Sequence, residues 1–269
     1  MSTMEARHVA CFSTSEQNMK NITNTIESLM MQTTKIDMLY IVSPDVKATE
    51  KLTKVYKKYQ PITVLNETDE FKDSCKLYPV LQIEKDPKTF ILFVADDGLY
   101  HKTLINRLEK TYNLILGKTQ NSAVVGVQGW NVDETHKEEI KLGSVMTAQP
   151  FDVLSKWGGV LLRREHLLKG KRDVSKRLLK QSLKNREDYC LSHVLHSNSI
   201  PRYVVRNITD KVLEPVTTME SDVKSANEKW NTTYSSKFEK SFVVKERRKN
   251  SRIRRDTPHT KSSYLKRNK

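Results

Sequence analysis

Cysteine is scarce: three in 269 residues, at Cys11, Cys75 and Cys190. They are odd in number, far apart and without Cys-x-x-Cys spacing, which argues against a disulfide framework or a zinc site and for a reducing compartment. Long apolar runs are missing too. No window approaches the roughly 18 to 20 apolar residues of a membrane helix, and "MSTMEARHVACF" has no apolar stretch of signal-peptide length. The expectation is a soluble cytoplasmic protein with no transmembrane segment. Glycine-rich phosphate loops are absent as well. Neither G-x-G-x-x-G nor G-x-x-x-x-G-K-[ST] occurs, so dinucleotide-binding and P-loop readings lack their fingerprints.

What is present is positive charge, unevenly placed. The chain has 47 Lys and Arg against 32 Asp and Glu, a net +15. Residues 241–269 hold 11 basic and 2 acidic side chains, so +9 lies in that segment and +6 in the rest. From 216 onward apolar residues thin out. The reading is a folded domain over 1–215 and a basic, disordered tail over 216–269, with an apolar patch at Phe238 and Phe242–Val244. "KERRKNSRIRR" suits a polyanion or a nuclear-import receptor, and nuclear localisation through the tail is the second expectation.

Before the tail, strand and helix patterns alternate. "HVACFS", "IDMLYIVSP", "ITVLNE", "TFILFVA" and "SAVVGVQ" are apolar, strand-length runs. Between them Met19, Ile22, Ile26, Leu29 and Met30 recur at helical spacing, as do Ala48, Leu52, Val55 and Tyr59, then Leu104, Leu108, Tyr112 and Leu116. A further helix is expected near Lys76–Ile83. This alternation predicts an α/β fold with a largely parallel sheet, whose ligands sit at the carboxyl ends of the strands. Residues 129–156 read as an irregular loop, followed by a Trp-Gly-Gly turn, a short apolar strand, a helix from Glu187 and a last strand at "RYVV".

Two acidic pairs carry the chemistry. Asp96 and Asp97 follow the buried run "FILFVA", and adjacent carboxylates there suit a hard cation such as Mg2+ or Mn2+. Glu187 and Asp188 open a helix about 90 residues later. They suit the helix dipole, and either suits a general base. A phosphatase-like reading of the first pair would want a nucleophilic Asp after the first strand, where the chain has "FSTS".

The pieces "STSEQNMKNITNTIESLMMQT", "CKLYPVLQIEKDPKTFILFVADDGLY", "KWGGVLLRREHL" and "EDYCLSHVLHSNSIPR" occur in this order over residues 7–206. Together they resemble GT-A-fold nucleotide-sugar glycosyltransferases of the group with a triple-Asp-x-x-Tyr motif. The resemblance implies a Rossmann-like α/β/α sandwich, a nucleotide-sugar donor, a glycan, protein or other hydroxyl acceptor, and Mn2+ or Mg2+. It implies that Ser13, Thr14, Lys76, Asp96 and Tyr100 bind the donor and that Asp97 holds the metal. Trp157, Gly158 and Gly159 would line the acceptor side, and Asp188, with Glu187 beside it, would be the base. Ala95 stands where the motif has its first Asp, and Gly98 and His101 also depart from it. The alternative is a catalytically degenerate GT-A-like binding protein whose tail contacts nucleic acid or an anionic surface.

Overall fold

The computed structural model describes residues 6–19, 22–56, 58–67, 76–120, 122–132, 138–142, 149–168, 187–205 and 213–215. The tail expected over 216–269, with its apolar patch, lies outside them. The first half runs β1 (His8–Ser13), α1 (Ile22–Met30), β2 (Met38–Ser43), α2 (Val46–Tyr56), β3 (Ile62–Asn66), α3 (Leu77–Ile83) and β4 (Phe90–Phe93). There follow β5 (Gly98–Tyr100), α4 (Leu104–Thr119), β6 (Val124–Val132), β7 (Glu138–Leu142), β8 (Gln149–Pro150) and β9 (Val153–Arg163). The described chain ends with α5 (Glu165–Leu168), α6 (Glu187–Ser197), β10 (Arg202–Val204) and β11 (Leu213–Pro215).

Nine strands form one sheet in the order β3-β2-β1-β4-β9-β6-β10-β8, with β7 paired to β6. The pairs β3-β2, β2-β1, β1-β4 and β6-β10 are parallel, while β9 runs antiparallel between β4 and β6. Successive strand residues point to opposite faces, and both faces are buried. Val9, Cys11, Ile91 and Phe93 pack on one side with Val80 and Leu81 of α3 and with Leu191, Val194 and Leu195 of α6. Ala10, Phe12, Phe90 and Leu92 pack on the other with Ile22, Ile26 and Leu29 of α1, Leu52 of α2, and Leu104 and Leu108 of α4. Double burial explains why these strands read as continuous apolar runs rather than alternating ones. The expected three-layer α/β/α sandwich is therefore observed.

Three expectations change. The stretch 129–156 is not simply a loop: β6 continues to Val132, pairs with β7 (Trp130 opposite Ile140), and β9 begins at Val153. Trp157-Gly158-Gly159 is not a turn before a short strand but lies inside the eleven-residue β9. On α1 the buried stripe is Ile22, Thr25, Ile26 and Leu29, so a threonine replaces Met30, which is exposed.

Candidate functional site

The parallel strands end together, and the site is built on that edge. β4 runs into Ala95, Asp96 and Asp97, which are half-buried. Asn18, from a single 3-10 turn over Glu16–Asn18, donates through Nδ2 to Asp96 Oδ2 at 3.0 Å. Burial pushes the Asp97 carboxyl above its ordinary range and the neighbouring Asp96 charge adds to the shift. Its own backbone N–H and the Lys156 ammonium act the other way.

Helix α1 and the turn that ends it hold the acidic loop through three polar side chains, Thr25 and Ser28 on the helix and Gln32 two residues past it. The fully buried Thr25 hydroxyl faces the carbonyls of Asp96 at 2.8 Å and Gly98 at 3.0 Å. Ser28 Oγ accepts the Tyr100 N–H at 3.1 Å. Gln32 donates to the His101 carbonyl at 2.9 Å and accepts the Ile105 N–H at 3.2 Å. Sequence reading missed these three. The only signal they left was the i, i+3, i+7 spacing of polar groups beside an apolar stripe.

Tyr100 is the second anchor. Its hydroxyl accepts the Ala95 N–H at 2.9 Å, and its proton faces the carbonyls of Ala95 and Trp157, each at 3.2 Å. Burial pushes its pKa well above the ordinary tyrosine range, so it stays a protonated phenol. The ring lies across Gly98, where a Cβ would come within 2.6 Å of the ring Cζ and Oη. Tyr100 therefore fixes the backbone here; its side chain is buried, with 3% exposure. β5, which carries it, also pairs with β11, Leu213 opposite Tyr100.

The Trp157 carbonyl belongs to a bulge. Gly126 faces Val160 and Gln128 faces Ser155, so β6 advances two residues while β9 advances five. Lys156 to Gly159 fill the difference, and such an insertion bends the strand and re-aims its side chains. Both glycines are required. Gly159 sits at φ +90, and a Cβ on Gly158 would lie 2.9 Å from Gln128 Cγ. Lys156, in the same bulge, donates its N–H to Asp188 Oδ1 at 2.9 Å. Ala95, which precedes the acid pair, the tyrosine, the bulge and Asp188 are thus linked in sequence by hydrogen bonds and the strand itself.

The other expected site residues lie as follows. Ser13 ends β1 and is half-buried. Thr14 is buried, its N–H donates to Val42 O at 2.9 Å, and its hydroxyl has no hydrogen-bond partner among the described residues. Lys76 is fully buried, and its ammonium donates to Val94 O at 3.0 Å, one residue before Ala95. The other end of α3 is pinned by Glu84, which accepts both Arg7 Nε and Nη2 and the Tyr40 hydroxyl. Glu187 opens α6.

Among the described residues no three His, Cys, Asp or Glu side chains form a metal cluster. The donor chemistry nonetheless fits a hard cation at Asp96 and Asp97. Burial, and then the neighbouring Asp96 charge, raise the proton affinity of Asp97, and a divalent ion would offset both.

No family model matches the sequence, and no curated protein matches it. Solved structures do. The crystal structure of S. aureus TarS superposes with a TM-score of 0.55 at 14% identity, covering 97% of this chain and 46% of that one. TarS 1–349 in complex with UDP gives 0.54 at 14% identity, covering 88% and 69%. TarS 1–349 alone gives 0.51 at 15%, covering 91% and 71%. The chain thus spans less than half of the TarS chain in the first of these. At such identities the likeness shows the fold: a mixed α/β, glycosyltransferase-like architecture of the GT-A type.

Proposed function

We propose that this protein moves a sugar from a nucleotide-sugar donor to an acceptor hydroxyl on a glycan, a protein or another molecule. Asp97 would hold Mn2+ or Mg2+, with Asp96 beside it, and Asp188 would act as base. The observation that carries this is the connection through Tyr100 and the β9 bulge between the Asp96-Asp97 loop and Asp188. The UDP complex of TarS, a protein of the same fold, supports a nucleotide diphosphate as the ligand class.

In such a transfer the acceptor oxygen bonds to the anomeric carbon and gives its proton to Asp188. The carbon–oxygen bond to the diphosphate breaks, and the diphosphate leaves with added negative charge. A divalent ion, when bound, supplies counter-charge for that group. The chain's own contribution is a fixed scaffold. α1, Tyr100 and the bulge hold carboxylates and backbone groups in place before reaction, so little reorganisation is needed. Among the described residues the buried Thr14 hydroxyl, just past β1, has no hydrogen-bond partner, and a buried hydroxyl at this edge suits a nucleotide ligand.

The test is direct. UDP with Mn2+ should raise the melting temperature of the wild type and leave Asp97→Ala unmoved, and one member of a nucleotide-sugar panel should release UDP on incubation. Failure of the wild type to bind UDP with or without Mn2+ would sink the reading. Ala95, in place of a further carboxylate, favours one alternative: a GT-A-like binding protein without turnover. Mn2+-dependent UDP binding with no release from any donor in the panel would select it.

A further inference from the structure

Gln128 has no part in the scheme above, yet three observations converge on it. It is buried, with 8% exposure, and among the described residues its side-chain amide makes no hydrogen bond. Polar groups buried this deeply ordinarily have a partner, and one without calls for a reason. The bulge is also shaped around it. Gln128 pairs with Ser155, where the excess of β9 begins, and a Cβ on Gly158 would lie 2.9 Å from Gln128 Cγ and 3.1 Å from its backbone N. The glycine makes room for this side chain. Finally, Gln128 faces the side of the base. Val125 and Val127 of β6 pack with α1 and α4, so by strand alternation Gln128 points to the other face, the one that α6 covers. Asp188 is the second residue of that helix.

We propose that Gln128 recognises the sugar of the donor, hydrogen-bonding a hydroxyl of the group being transferred. This rests on the nucleotide-sugar reading. In that scheme the sugar lies between the diphosphate, at the Asp96-Asp97 loop, and the base, Asp188. The bulge spans the same interval: its Trp157 carbonyl is tied through Tyr100 to Ala95, and its Lys156 N–H to Asp188. A polar side chain laid against Gly158 borders that interval. A primary amide carries donors and an acceptor side by side, which suits a hydroxyl, itself both donor and acceptor. A diphosphate only accepts, and the amide has no charge to offer it. Losing the amide should therefore weaken the hold on the sugar and leave the hold on the nucleotide alone. A residue that merely braced the bulge would do neither selectively.

The experiment uses the full chain with Gln128→Met, an unbranched side chain of similar length that fits against Gly158, and Gln128→Ala. Melting temperature is measured without ligand. Calorimetry in saturating Mn2+ gives the affinities for UDP, UDP-glucose, UDP-galactose, UDP-N-acetylglucosamine and UDP-xylose. Gln128→Met should melt no lower than the wild type and bind UDP unchanged, while its affinity for the best-bound UDP-sugar falls about three- to tenfold, the worth of one neutral hydrogen bond. Gln128→Ala leaves a gap and melts lower, yet should show the same split between UDP and UDP-sugar. A lower melting temperature for Gln128→Met means that the amide serves the fold and overturns the proposal. Equal losses for UDP and UDP-sugar, or no change in either, overturn it too and leave the nucleotide-sugar reading standing. So does a wild type that binds UDP but none of the four UDP-sugars, with binding without turnover then favoured. A wild type that binds no nucleotide overturns both.

Discussion

Tyr100 offers one hydroxyl to three backbone atoms on two segments, which makes it the residue on which the site's geometry turns. Tyr100→Phe leaves the Ala95 N–H and the Trp157 carbonyl without that partner. An unsatisfied buried polar group costs about 1–3 kcal/mol, and the urea midpoint should fall accordingly with the slope unchanged. Gly98→Ala attacks the same node from the other side, since its Cβ would meet the ring at 2.6 Å. Because both changes act on one contact, Gly98→Ala with Tyr100→Phe should cost less than the sum of the two. Additive costs in a double-mutant cycle would contradict the shared node. Asp97 adds a pH dependence. Its carboxyl is raised in the folded chain, so the fold binds the proton more tightly than the unfolded chain does. Stability therefore falls as pH rises from the ordinary carboxylate range through the raised value. Asp97→Asn, which mimics the protonated side chain, should melt higher than the wild type at pH 8 in EDTA, and the gain should vanish toward pH 3. A constant gain at all pH values would show that the acid is not strained. At this scale the acid pair was legible, because two adjacent carboxylates after an apolar strand are conspicuous. Tyr100's role was not, because its partners are backbone atoms 5 and 57 residues away.

At the level of elements, α1 shows what periodicity reveals and what it hides. The apolar spacing placed the helix correctly, and Ile22, Ile26 and Leu29 are buried. The same pattern cannot say that Thr25, Ser28 and Gln32 grip a loop some 70 residues away, because polar groups at helical spacing ordinarily face water. β9 misled for a related reason. Two adjacent glycines after a tryptophan read as a turn, whereas here they allow a three-residue excess to fold against β6 without leaving the strand. A bulge is defined by its partner's register, and no single segment carries that. The polar row of α1 and its end yields its own expectation. Gln32→Leu, two residues past α1, keeps the volume but removes the donor to His101 O and the acceptor for Ile105 N–H. The loop 96–105 should then exchange its amide protons faster while β1 and β2 stay protected. Uniform loss of protection would mean that Gln32 supports the whole fold rather than this loop.

For the whole molecule, the alternation of strands and helices was enough to give three layers and the edge on which to look. The sheet order was not, because the insertion of antiparallel β9 between β4 and β6 depends on pairings across the chain. Charge adds a separate feature. Of the net +15, +9 falls within residues 241–269, far in sequence from the acid pairs. If that segment serves polyanions and the sheet edge serves the nucleotide, the two activities should separate. Salt weakens polyanion binding in proportion to the phosphates or sulfates contacted, because bound counterions are released. A chain ending at Lys240 should therefore elute from heparin at lower salt than the full chain, with a shallower dependence of affinity on salt. Its UDP affinity in saturating Mn2+ should be unchanged, since the edge of the sheet is intact. Loss of UDP binding together with heparin retention would place part of the basic segment at the sheet edge, and would tie the charge of the tail to the donor site rather than to a separate partner.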